Sequence, residues 1–144
     1  MDPLSITGTL IAVLQITTAV ITICYDYRSG VASASREVLQ ITESLNSLKE
    51  ILESILRLIE TTKSGELSTV ELLAKDGGTL QGCQAELERL RGKLEPEKGW
   101  RKLRKSLAWP LKEGEMRRAL EGLERWKSMM QLALSADQAL VLLT

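Results

Sequence analysis

The sequence predicts an all-α fold: a helical bundle of four to five helices with a hydrophobic N-terminal helix packed centrally. Three observations carry that expectation. Apolar residues recur at alternating steps of three and four through long stretches of the 144-residue chain. Phenylalanine is absent, aromatics total five and prolines three, so the core must come from aliphatic side chains suited to helices rather than strands. The 44% hydrophobic and 26% charged fractions are those of a globular chain, and the length suits one domain over residues 1–144.

The first helix opens at "DP", where Asp2 is a good N-cap and Pro3 fits the first helical position. Gly30 is its expected stop. Residues 3–25 carry no formal charge, which raises a secretory signal or a membrane span as alternatives to a core helix. A signal peptide would need a basic start and a small-residue cleavage site, and Asp2 stands where the bases should be. The length is enough to span a bilayer. Ser5, Thr7, Thr9, Gln15, Thr17, Thr18 and Thr22 nevertheless make it more polar than an ordinary anchor, and the flank that follows is mixed rather than basic. A helix apolar around most of its circumference is equally expected where several neighbours surround it. Gly8, Ala12, Gln15 and Ala19 share one stripe. The small residues Gly8, Ala12 and Ala19 on it are candidates for a close helix–helix contact, in a bundle or in lipid.

The second helix is expected over residues 33–62, with Val38, Ile41, Leu45, Leu48, Leu52, Ile55 and Ile59 forming a coiled-coil-like seam. Gly65 closes it, and "STVE" at Ser68 to Glu71 reads as a capping box opening the third helix. Leu73, Leu80, Leu87, Leu90 and Leu94 continue a seam that Gly77 and Gly78 should interrupt. After "EPEKG" comes the basic segment "WRKLRKSLAW", ended by Pro110, which disfavours helix at Trp109. The last helix starts near Lys112 and sets Met116, Leu120, Leu123, Trp126 and Met130 on one face. Its apolar end, "ALVLLT", is either packed against the bundle or the stump of a longer chain. Short connections make neighbouring helices antiparallel.

Formal charge is zero but unevenly placed: residues 37–97 hold twelve acids and seven bases, and residues 98–144 ten bases and five acids. Lys98, Arg101, Lys102, Arg104 and Lys105 are interleaved with Trp100, Leu103, Leu107 and Trp109. Either this is a solvated face paired with the acidic helices, or the bases and the two tryptophans are contacts for lipid headgroups, at about 1 kcal/mol per base on an anionic leaflet. No nucleic-acid recognition motif accompanies the cluster and the chain is neutral overall, so nucleic acid is not an expected partner. Cys24 and Cys83 form no CxxC pair and read as buried, reduced thiols. The chain has no histidine and no GxSxG, GxGxxG or P-loop, and "GGTLQG" has the wrong spacing. Carboxylates two apart on a helix do not face one another. No catalysis, metal, cofactor or small-molecule substrate is expected.

Two stretches, "MDPLSITGTLIAVLQITTAVITICYDY" and "KSLAWPLKEGEMRRALEGLERWKSMMQLALSAD", resemble the HeLo-like domain at the N-terminus of fungal STAND receptors and related cell-death effectors. The resemblance covers nearly the whole chain. It implies a bundle related to the HeLo domain of the HET-S toxin and to the four-helix bundle of the necroptosis executioner MLKL. It further implies a protein cytoplasmic at rest, driven by an upstream NLR-type receptor or amyloid motif to self-oligomerise. The oligomer then moves to the plasma membrane, where the N-terminal helix inserts and forms a pore in the lipid, with an anionic leaflet as its expected partner. Carried over to this chain, the inserting segment is residues 4–24, with Leu4, Ile6, Leu10, Ile11, Val13, Leu14, Ile16, Val20, Ile21 and Ile23 as its apolar side chains. This chain ends at Thr144 with neither an amyloid motif nor an ATPase, so the resemblance implies a domain excised from a longer protein. The alternatives are a non-toxic helical adaptor of a STAND receptor and a fragment of a constitutive membrane protein.

Overall fold

Each seam in the sequence becomes a buried helix face. The computed structural model describes residues 3–30, 35–62, 67–75, 77–95 and 109–143. Among them lie α1 (Pro3–Gly30), α2 (Ser35–Thr61), α3 (Ser68–Leu73), α4 (Thr79–Leu94) and α5 (Glu113–Leu143). In α2 the seam residues Val38, Ile41, Leu45, Leu48, Leu52 and Ile55 are buried and Ile59 packs at its edge. Leu80, Leu87, Leu90 and Leu94 do the same for α4, and Met116, Leu123 and Met130 for α5. The steps of three and four work because they return a side chain to nearly the same side of the helix every turn.

The glycine pair separates α3 from α4 as the sequence predicts. Gly77 has φ 73°, the left-handed region open to glycine, and its N–H donates to Gln81 Oε1 at 2.7 Å. A Cβ on Gly78 would sit 2.8 Å from the Lys75 carbonyl oxygen, so the turn also excludes a side chain there. The capping box, by contrast, does not start α3. Leu67 holds the N-cap position with no side-chain cap. The N–H groups of Val70 and Thr69 donate instead to the Asp137 carboxylate of α5, at 2.7 and 3.4 Å. A remote carboxylate, itself fully buried, does what a local serine was expected to do.

Helix α1 packs against α2 and α4, and α5 packs against α2, α4 and α3. Tyr27 Oη donates to the Leu94 carbonyl at 2.7 Å, so the C-terminal ends of α1 and α4 lie together and the two run parallel. Lys93 and Glu115 pair at 2.7 Å, joining the end of α4 to the start of α5, and these run antiparallel. Ser44 donates to Glu124 at 3.2 Å between α2 and α5. The α4–α5 contact is built on two reciprocal notches. A Cβ on Gly82 would lie 2.6 Å from the Trp126 indole, and one on Gly122 would lie 3.0 Å from Glu86 Oε1. Each helix gives up a side chain where the other presents a large one.

Candidate membrane-active helix

Helix α1 runs from Pro3 to Gly30 with no proline after its first residue, and because it is apolar around most of its circumference its placement is set by where α2 and α4 lie. Of the expected inserting residues, Ile6, Leu10, Val13, Ile16, Val20 and Ile21 are buried against α2 and α4, and Leu14 and Ile23 are half-buried. Ile11 is 41% exposed. Leu4 lies on α1, but its side chain is outside the described residues. With Ile11, the residues Gly8, Gln15, Thr18, Thr22 and Tyr25 form an open stripe along the helix. Among the described residues, Ile6–Tyr27 is one helical segment of 22 residues long and apolar enough to cross a membrane, and 33% of its most apolar window is buried. The bundle covers one side of this segment and leaves the other to solvent.

Two hydroxyls on α1, the buried Thr17 and the exposed Thr22, are bonded within the helix itself. Thr17 Oγ1 donates to the Val13 carbonyl at 2.7 Å and Thr22 Oγ1 to the Thr18 carbonyl at 3.0 Å. Such bonds to the residue four earlier travel with the helix wherever it goes. Within the bundle Gly8 makes no close helix–helix contact: it is exposed, and a Cβ there would meet nothing within 4 Å. Ala12 and Ala19 are half-buried. The close approaches in this bundle are made by Gly82 and Gly122 instead. Beside the open stripe, Ile11, Leu14, Gln15 and Thr18 of α1 and Lys49, Glu53 and Leu56 of α2 line a shallow groove of about 510 Å³.

Of the expected headgroup contacts, Lys98, Trp100, Arg101, Lys102, Arg104 and Lys105 lie outside the described residues. Trp109 is half-buried and meets Tyr27 edge-on, with ring centroids 5.2 Å apart. Its indole N–H is buried without a hydrogen-bond partner, as is that of Trp126. The tryptophan expected at a lipid surface thus closes the C-terminal end of α1 in this state.

Among the described residues, two thiols and two carboxylates have shifted acidities. Burial pushes the Cys24 and Cys83 thiols up to about 12, so both are protonated and inert near neutral pH. The hydrogen bond from Lys93, helped by the Lys112 backbone, holds the Glu115 carboxyl below its ordinary value. Lys127 does the same for Glu124, with Ser44 adding a smaller effect. Lys93–Glu115 joins α4 to α5 and Ser44–Glu124 joins α2 to α5, whereas Lys127–Glu124 lies within α5. Glu86 pairs with Arg89 in a small pocket shared with Lys93, Glu115 and Arg118, which holds about 80 Å³. Among the described residues no three His, Cys, Asp or Glu side chains gather where they could hold a metal.

Sequence reasoning missed Asp137, the glycine notches and the open stripe of α1. It left the apolar tail of α5 between two alternatives, and the bundle does not cover it: Leu142 and Leu143 are 86% and 85% exposed. Comparison of the chain with protein-family models, with curated proteins and with solved structures finds no match.

Proposed function

We propose that the chain is a membrane-active domain of the HeLo-like kind. In it α1 exchanges the bundle for a bilayer when the protein oligomerises, permeabilising the membrane as a cell-death effector does. At rest it would be cytoplasmic, and on activation it would act at the plasma membrane. One observation carries this reading: α1 has the length and apolarity of a span, yet the bundle holds it from one side only. Each fully buried large aliphatic side chain stabilises the docked helix by about 1.5–3 kcal/mol, and lipid would receive the same side chains nearly as well. Backbone groups satisfied inside a helix need no water. The hydroxyls of Thr17 and Thr22 keep their partners during such a transfer. The open stripe, with Gln15 and Thr18, offers hydrogen-bonding groups to neighbouring copies inside the bilayer.

Clustering would tip the balance by differential stabilisation of the inserted state. The test is dye release from vesicles of phosphatidylcholine and phosphatidylserine, with the chain fused to an inducible clustering tag. Leakage is expected on clustering. It should fall sharply for Thr18→Lys, because a lysine at mid-span costs about 2.5–3.5 kcal/mol in a bilayer, and less for Ile11→Lys, which lies nearer the end of the span. Both positions are exposed in the bundle, so the variants should keep their helical content and melting behaviour. Absence of leakage under clustering, or equal leakage from Thr18→Lys, overturns the reading. The second reading, a non-toxic adaptor, is favoured by the exposed apolar tail of α5, and it would survive that result.

A further inference from the structure

The C-terminal half of α5 carries a second apolar stripe, distinct from the one that faces the core. Met129, Leu132, Ala136, Leu140 and Leu143 are all exposed, Leu132 by 72%. At about 100° per residue these five fall within about 40° of Ala136 around the helix. Their spacing is 3, 4, 4, 3, which reads the same in both directions from Ala136. We infer that this stripe is an antiparallel, two-fold docking surface for a second copy of the chain, centred on Ala136.

Reversal about Ala136 sets Leu132 of one copy over Leu140 of the other, and Met129 over Leu143, so the face is complementary to itself. The smallest side chain falls at the crossing point, where two helices must come closest. Charge points to the same occupant. Asp137 is the one charged residue in 128–143; it is fully buried and engaged with the Val70 N–H. The face therefore exposes no charge for a partner to complement, and an identical face brings none. A helix that lies on a membrane carries bases beside its apolar side, and these are missing here. Residues 138–143 are exposed all round the helix, so α5 runs past the bundle and leaves room for an overlap of about 22 Å. An isologous contact of this kind closes at two copies. It does not depend on the membrane reading of α1.

The buried thiols of Cys24 and Cys83 allow engineered surface cysteines to report alone. Under copper–phenanthroline oxidation, Ala136→Cys should give a disulfide-linked dimer. A mixture of Leu132→Cys and Leu140→Cys chains should cross-link, and neither should do so alone. In sedimentation equilibrium the wild-type chain should dimerise, and Leu132→Glu should weaken the dimer at least about tenfold with unchanged circular dichroism. A wild-type chain that stays monomeric overturns the proposal. So does Leu132→Cys cross-linking by itself, which would mean a parallel pair. So too does a monomer that binds neutral phosphatidylcholine vesicles through Leu132, which would make the face a lipid contact.

Discussion

Asp137 supplies a buried polar bond that ties two helices of this aliphatic bundle together. Its carboxylate, on the last helix, accepts the first free N–H groups of α3, sixty-seven and sixty-eight residues away. Replacing it by alanine leaves the Val70 N–H buried with no acceptor, which costs about 1–3 kcal/mol. Asparagine retains one acceptor oxygen and should cost less. Urea denaturation of Asp137→Ala and Asp137→Asn, compared with wild type, should therefore rank wild type above asparagine above alanine. Equal stability of all three would mean that water or another side chain replaces the bond without loss. The residue was invisible in the sequence for a physical reason. A lone acid in an apolar run reads as a solvent-facing position, and only the fold brings the open end of α3 to it.

At the scale of the elements, the glycines of α4 give a matched comparison. Gly92 faces open space, where a Cβ would meet nothing within 4 Å, whereas a Cβ on Gly82 would press into the Trp126 ring. Gly92→Ala should stabilise the protein by up to about 1 kcal/mol through helix propensity. Gly82→Ala gains the same propensity but must displace a rigid indole packed at the core edge, and overpacking of this kind costs about 1–3 kcal/mol. Thermal melts should move in opposite directions for the two variants. Helix existence, the α2 seam and the α3–α4 break were legible because they depend on periodicity and backbone freedom, which are local. The open stripe of α1 was not. The exposed Thr18, Tyr25 and Ile11 are the same residue types as the buried Thr17, Tyr27 and Ile16, so the solvent side is chosen by where α2 and α4 lie. The capping box failed for a related reason, since a local motif gave way to a tertiary partner.

For the molecule as a whole, the proposed transfer of α1 makes docking strength and span quality separable quantities. Tyr27 fastens the C-terminal end of α1 through its bond to the Leu94 carbonyl and its edge-on contact with Trp109. Tyr27→Phe removes the hydrogen bond, keeps the ring contact and leaves the apolar span unchanged. The lost bond is worth about 0.5–1.5 kcal/mol. It should lower the stability of the bundle by that amount and raise the population with α1 undocked by about twofold to tenfold. If undocking precedes insertion, vesicle leakage under clustering should quicken by a similar factor. Adding Thr18→Lys to Tyr27→Phe should return leakage to the low level of Thr18→Lys alone, because an easily released helix still has to cross the bilayer. Stability measured by urea and leakage measured on the same preparations would then diverge in a set pattern: Tyr27→Phe less stable and faster, Thr18→Lys equally stable and slower. A Tyr27→Phe chain that is less stable yet leaks at the wild-type rate would mean that release of α1 is not the controlling step.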